Sequence, residues 1–307
     1  MAGTWNMSGR IAILIDGGYF LKQLPKLVTP NRCDTPQNIV ACIRQLCRIH
    51  VKRLTGKDDA RWQQHLYRSF FYDAMPYEGK AHHPIDNRPI DYAKTEVARQ
   101  RLALFDCLRR ERKLALRLGK VNKEHDWLIE PTLTKKLLRH RNVLQVLAQL
   151  PPISDLLQPV TASITLSAEE HKELTALRDF WQGLDDSSVR LGLRQKGVDM
   201  RIGIDISSLT LKKQVDTIIL VAGDSDFVPA AKLARREGVE FILDPLWQKI
   251  NADLFEHIDG LQSGLPRPGS ASDEYDLPEI PTENPDNMAR PRAPSASTSG
   301  PSSRMGN

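Results

Sequence analysis

The sequence predicts an α/β protein with a central parallel β-sheet flanked by helices. Two runs of almost wholly apolar, largely β-branched residues, at 10–16 and 217–222, are typical of strands that are covered on both faces. Each run ends at a turn that contains glycine and is followed by apolar residues at helical spacing. Strands that alternate with helices in this way favour parallel pairing through right-handed crossovers.

The remaining elements follow from composition and spacing. Further strands are predicted at 66–73, 114–118 and 239–243, and helices at 35–54, 92–112, 227–237 and 248–258. In the first of these helices, Ile39, Ile43 and Leu46 recur at the spacing of one helix face. Gly238 follows the helix at 227–237, at a position where helices often end.

The chain divides into three predicted parts: a discontinuous main domain at 1–120 and 194–262, an insert at 121–193 and a tail at 263–307. The insert is expected to be mostly helical, with helices at 134–150 and 168–184. The tail contains eight of the 20 prolines and few large apolar side chains. It cannot bury enough surface to offset the entropy of ordering, so we expect it to be disordered.

Composition excludes membrane-spanning and secreted classes of protein. The 307 residues, 40% of them hydrophobic, can bury one core plus an insert. No stretch approaches the ~18 apolar residues of a membrane helix, and residues 1–10 lack the apolar segment of a secretory signal. The four cysteines show neither metal-site spacing nor a disulfide pattern. We therefore expect a cytoplasmic protein with no membrane partner.

Carboxylates follow the ends of the predicted strands. Asp16 ends the first apolar run, and Asp224 and Asp226 follow the second. Asp199, in the sequence Lys196-Gly197-Val198-Asp199, is a third candidate at the start of a mixed apolar segment. Ligands of open α/β sheets bind beyond the carboxyl ends of the strands, so we expect these acids to lie at one edge.

Each of these acids also has a purely structural interpretation. Aspartate is a common helix N-cap, and capping alone explains Asp199 and Asp226 as well as metal binding does. Capping is a weaker explanation for Asp16 and Asp224, because each follows a buried strand at a glycine-containing turn. Several carboxylates at one edge nevertheless repel one another unless protonation or a divalent cation relieves them. Oxygen ligands without nearby Cys or His favour Mg²⁺ or Mn²⁺ over Zn²⁺.

Three neighbours of these acids have less defined roles. If the segment after Asp199 is helical, Asp205 lies about 240° around the helix from it, so the two would not share a face. Lys196 either contacts a phosphate or is an exposed lysine at a helix entry. Ser225 has no identifiable histidine partner, which argues against a serine nucleophile.

These motifs resemble the NYN domain family of the PIN-like nuclease superfold. The resemblance rests on Ile15-Asp16-Gly17, on Lys196 to Asp199 with Asp205, and on Ala222-Gly-Asp-Ser-Asp-Phe-Val-Pro229. It implies a Rossmann-like parallel sheet in which Asp16, Asp199, Asp224 and Asp226 bind Mg²⁺ or Mn²⁺ for the hydrolysis of RNA phosphodiesters. It also makes Asp205 a family position, and Asp205 and Ser225 are candidates, with Lys196, for contact with the substrate. The insert at 121–193 departs from the family pattern.

Basic residues predict a polyanion partner. One stretch with few acids contains Arg109, Arg110 and Arg112, and another runs from Lys135 to Arg141. Both stretches are equally well explained as solvated helix faces. Beside an acidic metal centre, however, arginine and lysine would hold an RNA backbone. The insert and the tail are the candidate regions for binding a protein partner or a second copy of the chain.

Two weaker candidates are a histidine pair and a group of aromatic residues. His82 and His83 lie in a loop with Asp86 and Asp91, but no third ligand has a recognisable spacing, so a plain surface loop is the better interpretation. The aromatic residues at 67–72 alternate along a strand, which favours core packing over base stacking for at least half of them.

Three functions of different classes are compatible with the sequence. The favoured one is a metal-dependent endoribonuclease without a covalent intermediate. The second is an RNA-binding or regulatory protein with little activity, and the presence of all four acids argues against it. The third is a small-molecule phosphohydrolase of the haloacid dehalogenase type, which requires an acid two residues after the nucleophile. Gly18 occupies that position after Asp16.

Overall fold

A computed structural model describes residues 10–267 of the chain, apart from residues 57, 59 and 151–160. It confirms the predicted α/β class, because helices cover both faces of a seven-stranded, mostly parallel sheet. The tail at 263–307 was predicted to be disordered, and its residues from 268 onward lie outside the described residues.

The elements alternate along the chain as the pattern predicted. The strands are β1 Ile11–Asp16, β2 Leu66–Met75, β3 Lys80–His82, β4 Pro89–Asp91, β5 Leu114–Ile129, β6 Val189–Lys196, β7 Thr217–Val221, β8 Glu240–Asp244 and β9 Gly260–Leu261. The α-helices are α1 Gly17–Leu27, α2 Pro36–Thr55, α3 Glu96–Arg110, α4 Pro131–Arg139, α5 Ala168–Gln182, α6 Val198–Leu211, α7 Val228–Arg236 and α8 Ala252–Phe255.

The sheet has the strand order β6-β5-β2-β1-β7-β8-β9, and β3 pairs only with β4 in a separate two-stranded sheet. All pairs of the large sheet are parallel except β5 with β6. The chain builds outward from β1 to one side and then returns to the other side through β7. The point where the strand order reverses therefore lies between β1 and β7, where ligands of such sheets bind.

The central strands are buried on both faces, which explains their unbroken apolar sequences. In β1, Ile11, Ile13 and Ile15 pack into a core shared with α1, α2 and α3. Ala12 and Leu14 point to the opposite face and pack into a second core shared with α6 and α7. Because side chains alternate between the two faces of a strand, one apolar run builds both layers.

The insert at 121–193 contains helices, as expected, and it also contains strand that the sequence did not predict. Strand β5 continues to Ile129, and residues 120–129 pair with β6 in an antiparallel arm. The arm passes beyond Met75, the last residue of β2, by about 30 Å at the rise of a strand. Most of its side chains are exposed. A two-stranded arm buries little surface, so it leaves no continuous apolar pattern in the sequence.

Three further boundaries differ from the predictions. The helix predicted at 134–150 is α4 followed by a 3₁₀ helix, Arg141–Gln149, and the closing helix predicted at 248–258 is reduced to the single turn of α8. The chain also stays packed beyond residue 262. The amide of Gly264 donates to Asp244 Oδ2 at 2.9 Å, and Leu265 is buried.

None of the described helices combines the length and the apolar composition needed to cross a membrane.

The start of α1 depends on close contact with β2, and this contact predicts a change in stability. A Cβ at Gly17 would lie 2.5 Å from both Phe71 Cε1 and the Tyr72 carbonyl oxygen. Gly17→Ala should therefore lower the free energy of unfolding by about 1–3 kcal/mol. Gly203, inside α6, is the matched control, because a Cβ there meets no heavy atom within 4 Å.

Gly203→Ala should raise the free energy of unfolding by about 0.5–1 kcal/mol, since alanine is the better helix former. Urea unfolding of the two variants measures both effects. Equal stability of the two variants would contradict the tight packing at Gly17.

Candidate metal centre

Asp16 lies at the carboxyl end of β1, between two parallel neighbours. Its register partner in β2 is Tyr72, and Ile15 pairs with Val221 of β7. The carboxylate of Asp16 accepts a hydrogen bond from the Tyr19 amide at 3.0 Å, so it also caps α1. The sheet thus fixes the backbone of Asp16 at the point where the strand order reverses, and the cap fixes its side chain.

Asp224 and Asp226 lie in the turn that follows β7. The carboxylate of Asp224 accepts from the Asp226 amide at 3.0 Å and caps a short 3₁₀ helix, Ser225–Phe227. The side chain of Asp226 makes no capping bond, and both acids are exposed. Gly223, before them, is required by packing, since a Cβ there would lie 2.5 Å from the Tyr19 ring.

Asp199 lies in the first turn of α6 and is exposed to solvent. The N-cap of this helix is Gly197, in the left-handed conformation with a φ of 74°, and no side chain caps it. Capping therefore explains neither Asp199 nor Asp226, the two acids for which it was the stronger alternative. The acids that do act as caps are Asp16 and Asp224.

The electrostatics of these acids show that they lie near one another. Burial, and then the charges of Asp199 and Asp73, raise the pKa of Asp16 to about 6 although its hydrogen bond from Tyr19 lowers it. Partial desolvation and the charges of Asp224 and Asp226 raise the pKa of Asp199. Like charges in proximity disfavour ionisation, so the fold concentrates negative charge at this edge.

Salt bridges within the described residues do not neutralise the negative charge of these four aspartates. Among the described residues, no lysine or arginine nitrogen lies within 4.0 Å of the carboxylates of Asp16, Asp199, Asp224 or Asp226. All four offer hard oxygen ligands, which fit Mg²⁺ or Mn²⁺. No three of them bring their oxygens within 4.8 Å of one another in the described part of the chain, so direct coordination by three of them would need them to move closer.

Asp73 is a component of this edge that the sequence analysis missed. It is fully buried near the end of β2 and pairs with Arg101 Nη1. It also accepts from the Ala74 amide at 2.7 Å and from Gln195 Nε2 at 3.3 Å. Burial raises its pKa while Arg101 lowers it. Its position at the end of an apolar strand is the same signal that identified Asp16, so the sequence contained the means to find it.

Asp205 does not join the acids, which agrees with its predicted position on another face of α6. Its Oδ2 accepts from the Tyr72 hydroxyl at 2.9 Å and from Arg117 Nε at 3.1 Å. Burial, and then the charge of Asp205, raise the pKa of Tyr72. These contacts tie α6 to β2 and β5, and contact of Asp205 with substrate stays a prediction.

The predicted substrate-binding arginines Arg109, Arg110 and Arg112 lie at the wrong edge of the sheet, and this expectation is corrected. Arg109 and Arg110 end α3, and Arg112 follows it just before Leu114, which pairs with Ser69 near the start of β2. That is the amino-end edge of the parallel strands, opposite the acids. A helix that connects two parallel strands ends at the amino edge of the second strand, so the predicted order of elements already implied this position.

Lys196 and Ser225, by contrast, lie at the edge that carries the acids. Lys196 ends β6 and forms an ion pair with Glu124 of β5, so it belongs to the base of the antiparallel arm. Ser225 begins the 3₁₀ turn that follows Asp224. Among the described residues, no histidine donates to or accepts from its hydroxyl, so the serine has no activating base.

A protein-family model matches part of the chain. The family model of the NYN domain matches residues 139–258. The resemblance to the NYN domain family is confirmed. The matched segment includes Asp199, Asp224 and Asp226 and begins after Asp16. An NYN domain implies a PIN-like nuclease fold, and NYN domains are generally hydrolases.

Other comparisons add no functional argument. A crystal structure of a protein of unknown function from Vibrio parahaemolyticus is similar to the chain at 12% identity and a TM-score of 0.36. The alignment covers 86% of this chain and 96% of that chain. A similarity at this level says nothing about activity. No curated protein matches the sequence.

The raised pKa of Asp16 predicts a pH-dependent effect on stability. The folded protein holds the proton of Asp16 up to about pH 6, whereas the unfolded chain releases it near 3.8. Folding is therefore penalised as the pH rises through that window, and the full penalty persists above it. Asp16→Asn keeps a capping side chain but removes the charge.

In EDTA at about pH 7.5, Asp16→Asn should raise the free energy of unfolding by about 2 kcal/mol, and the gain should shrink as the pH falls towards 4. Urea unfolding at a series of pH values measures it. The control is Asp106→Asn, on the exposed side of α3, which should change stability little at any pH. A gain for Asp16→Asn that does not vary with pH would contradict the electrostatic origin.

Proposed function

We propose that this protein is a metal-dependent endoribonuclease that hydrolyses RNA phosphodiester bonds. The observation that carries the proposal is the gathering of four aspartates where the strand order reverses, none of which forms a salt bridge with a described lysine or arginine. The NYN match, and the PIN-like nuclease fold that it implies, support the same activity.

Asp16, Asp199, Asp224 and Asp226 would hold Mg²⁺ or Mn²⁺. Such an ion, when bound, activates water and stabilises the charge that develops in an in-line displacement at phosphorus. The protein's own part is positioning. Asp16 is fixed by the sheet and by its cap on α1, whereas Asp226 is exposed and has no capping bond, so it is available to orient the attacking water.

The buried pair of Asp73 and Arg101 would support the site from behind. Arg101 partly compensates the charge of Asp73, which lies next to the register partner of Asp16. Gln195 donates to Asp73, and its side-chain amide lies 3.4 Å from the position that a Cβ on Gly18 would occupy. These contacts connect β2, α3 and β6 to the start of α1 and limit the movement of Asp16.

RNA would be held by the base of the antiparallel arm instead of the predicted helix end. Arg194 is exposed and close enough to Asp199 to lower that residue's pKa. Lys196 follows in β6, and Arg201, on the first turns of α6, donates to the Gly197 carbonyl at 2.7 Å. These cations could bind phosphates on either side of the acids.

A surface for the bases lies on the other side of Asp199. A groove of about 660 Å³ between α6 and α7 has Asp199 and Asp226 among its lining residues. Its walls include Met200 and Ile204, which are 71% and 58% exposed. The faces of unpaired bases can pack on exposed apolar side chains such as these, so we propose a single-stranded region of RNA as the substrate.

The location and the partners of the protein are part of the same proposal. All four cysteines are free thiols, as expected in the reducing cytoplasm. Exposed apolar side chains of the insert would bind a protein partner or a second copy of the chain; they are Leu138, Leu144, Leu147 and Trp181.

Substitution of one acid tests the activity. Asp224→Asn should reduce the cleavage of labelled single-stranded RNA in Mg²⁺ or Mn²⁺ by at least about 100-fold, because even outer-shell partners of a metal contribute 10–100-fold. Asp106→Asn should cleave at the wild-type rate, since it lies on α3 away from the acids. EDTA should abolish cleavage by the wild-type protein and by Asp106→Asn. RNA binding without cleavage by the wild-type protein would favour the regulatory alternative, and cleavage by Asp224→Asn at the wild-type rate would exclude the proposed site.

Salt dependence tests where RNA binds. In an Asp224→Asn background, Arg194→Gln should reduce the slope of log binding constant against log salt concentration by about 0.7, the value for one lost contact with single-stranded phosphate. Arg110→Gln is the matched control at the opposite edge of the sheet and should leave the slope unchanged. Fluorescence anisotropy with a labelled RNA measures both. A smaller slope for Arg110→Gln with an unchanged slope for Arg194→Gln would instead support the end of α3 as the RNA-binding surface.

A further inference from the structure

His83 is a buried histidine that makes no side-chain hydrogen bond within the described residues, and it is not one of the residues of the candidate metal centre. His83 follows β3 in the turn that leads to β4, and only 3% of its side chain is exposed. Neither ring nitrogen makes a hydrogen bond within the described residues. The ring packs edge-on against Trp127 of β5 at a centroid distance of 5.2 Å. A buried polar group without a partner calls for a physical explanation.

Two carboxylates face this ring from different parts of the chain. Asp86 Oδ1 lies 3.2 Å from His83 Nδ1, and Asp186 Oδ1 lies 3.6 Å from His83 Nε2. Asp86 belongs to the same turn, whereas Asp186 lies in the 3₁₀ turn just before β6. One ligand atom from each of the three residues can be chosen so that all lie within 4.8 Å of one another.

Arg88 neutralises only part of the negative charge of Asp86 and Asp186. Its Nη2 lies 2.7 Å from Asp186 Oδ2 and its Nε lies 3.8 Å from Asp86 Oδ2. The Oδ1 atoms of the two carboxylates remain directed at His83, and that of Asp86 accepts the Arg88 amide at 3.0 Å. Two carboxylates and one guanidinium leave a net charge of −1, which a divalent cation would reverse.

We propose that His83, Asp86 and Asp186 bind a divalent transition-metal ion, with Zn²⁺ as the favoured ion. An imidazole with two carboxylates is a donor set that Zn²⁺ accepts, with water in the fourth position. The two carboxylates contact different nitrogens of the His83 ring, so binding of zinc through one nitrogen requires the carboxylate at the other nitrogen to move towards it. Tetrahedral ligands about 2.0 Å from zinc lie about 3.3 Å apart. The chosen ligand atoms already lie within 4.8 Å of one another, and both carboxylates are exposed, so this movement completes the site. The imidazole distinguishes this site from the all-carboxylate edge, where harder cations are expected.

The ion would join the turn between β3 and β4 to the antiparallel arm. His83 and Asp86 lie on the turn, Asp186 precedes β6, and Trp127 of β5 covers the ring. The arm extends past the last residue of β2, and most of its side chains are exposed. Zinc would therefore fix the arm in place. This role is independent of the proposed nuclease activity.

Metal titration of the untagged full-length protein tests the proposal. After removal of metals with EDTA and dialysis, the wild-type protein should compete with a chromophoric chelator for one equivalent of Zn²⁺. His83→Gln should bind that equivalent at least about tenfold more weakly. His82→Gln, at the neighbouring exposed histidine, is the matched control and should bind as the wild type does. Zn²⁺ should also raise the melting temperature of the wild type and of His82→Gln but not that of His83→Gln.

Two further variants make the result decisive. Asp186→Asn should also fail to bind the equivalent of zinc. Because Asp186 is exposed, this variant provides the test if His83→Gln does not fold. Asp224→Asn should keep the zinc equivalent, so failure of this site and failure of the proposed nuclease site are distinguishable. The proposal would be overturned if His83→Gln and Asp186→Asn bound zinc as tightly as the wild type does. It would also be overturned if the wild-type protein did not bind zinc tightly.

Discussion

Repulsion between carboxylates at the carboxyl ends of parallel strands is the constraint on which the rest of this structure depends. The register of β1 between β2 and β7 fixes Asp16 beside Tyr72 and Val221, and the chain has no freedom to move the charge elsewhere. Asp199 enters from the start of α6 and Asp224 from the turn after β7. A fold that holds several unneutralised acids together sacrifices stability, and a divalent cation is the ligand that would recover it.

The same arrangement explains which charged residues serve the site and which serve the fold. Asp73 has the geometry of a ligand but is buried with Arg101, and Asp205 shares its carboxylate between Tyr72 and Arg117. Paired acids of this kind hold strands and helices in register. The acids without such a pair are the ones that we propose bind a metal ion. Pairing with a protein cation, more than position in the sequence, separates the two roles.

The sequence was sufficient for the central layer and insufficient for everything that extends beyond it. Strands buried on both faces have unmistakable compositions, so β1, β7 and the acids after them were predicted correctly in position. The arm was missed because its side chains face solvent on both sides, although residues 189–193 do alternate between apolar and other residues. Asp186, which we propose as a metal ligand together with His83, was not recognisable from the sequence for another reason. Asp186 is about a hundred residues away along the chain, and only the pairing of β5 with β6 brings it close.

We propose that the acids at the reversal of strand order hold a divalent cation. Anomalous diffraction from crystals of the protein soaked in Mn²⁺ tests it most directly, because the manganese signal locates the ion independently of any activity. The account predicts a peak in direct or water-mediated contact with the carboxylates of Asp16, Asp199 and Asp224. A fully occupied manganese site elsewhere, with no peak at this edge of the sheet, would contradict it.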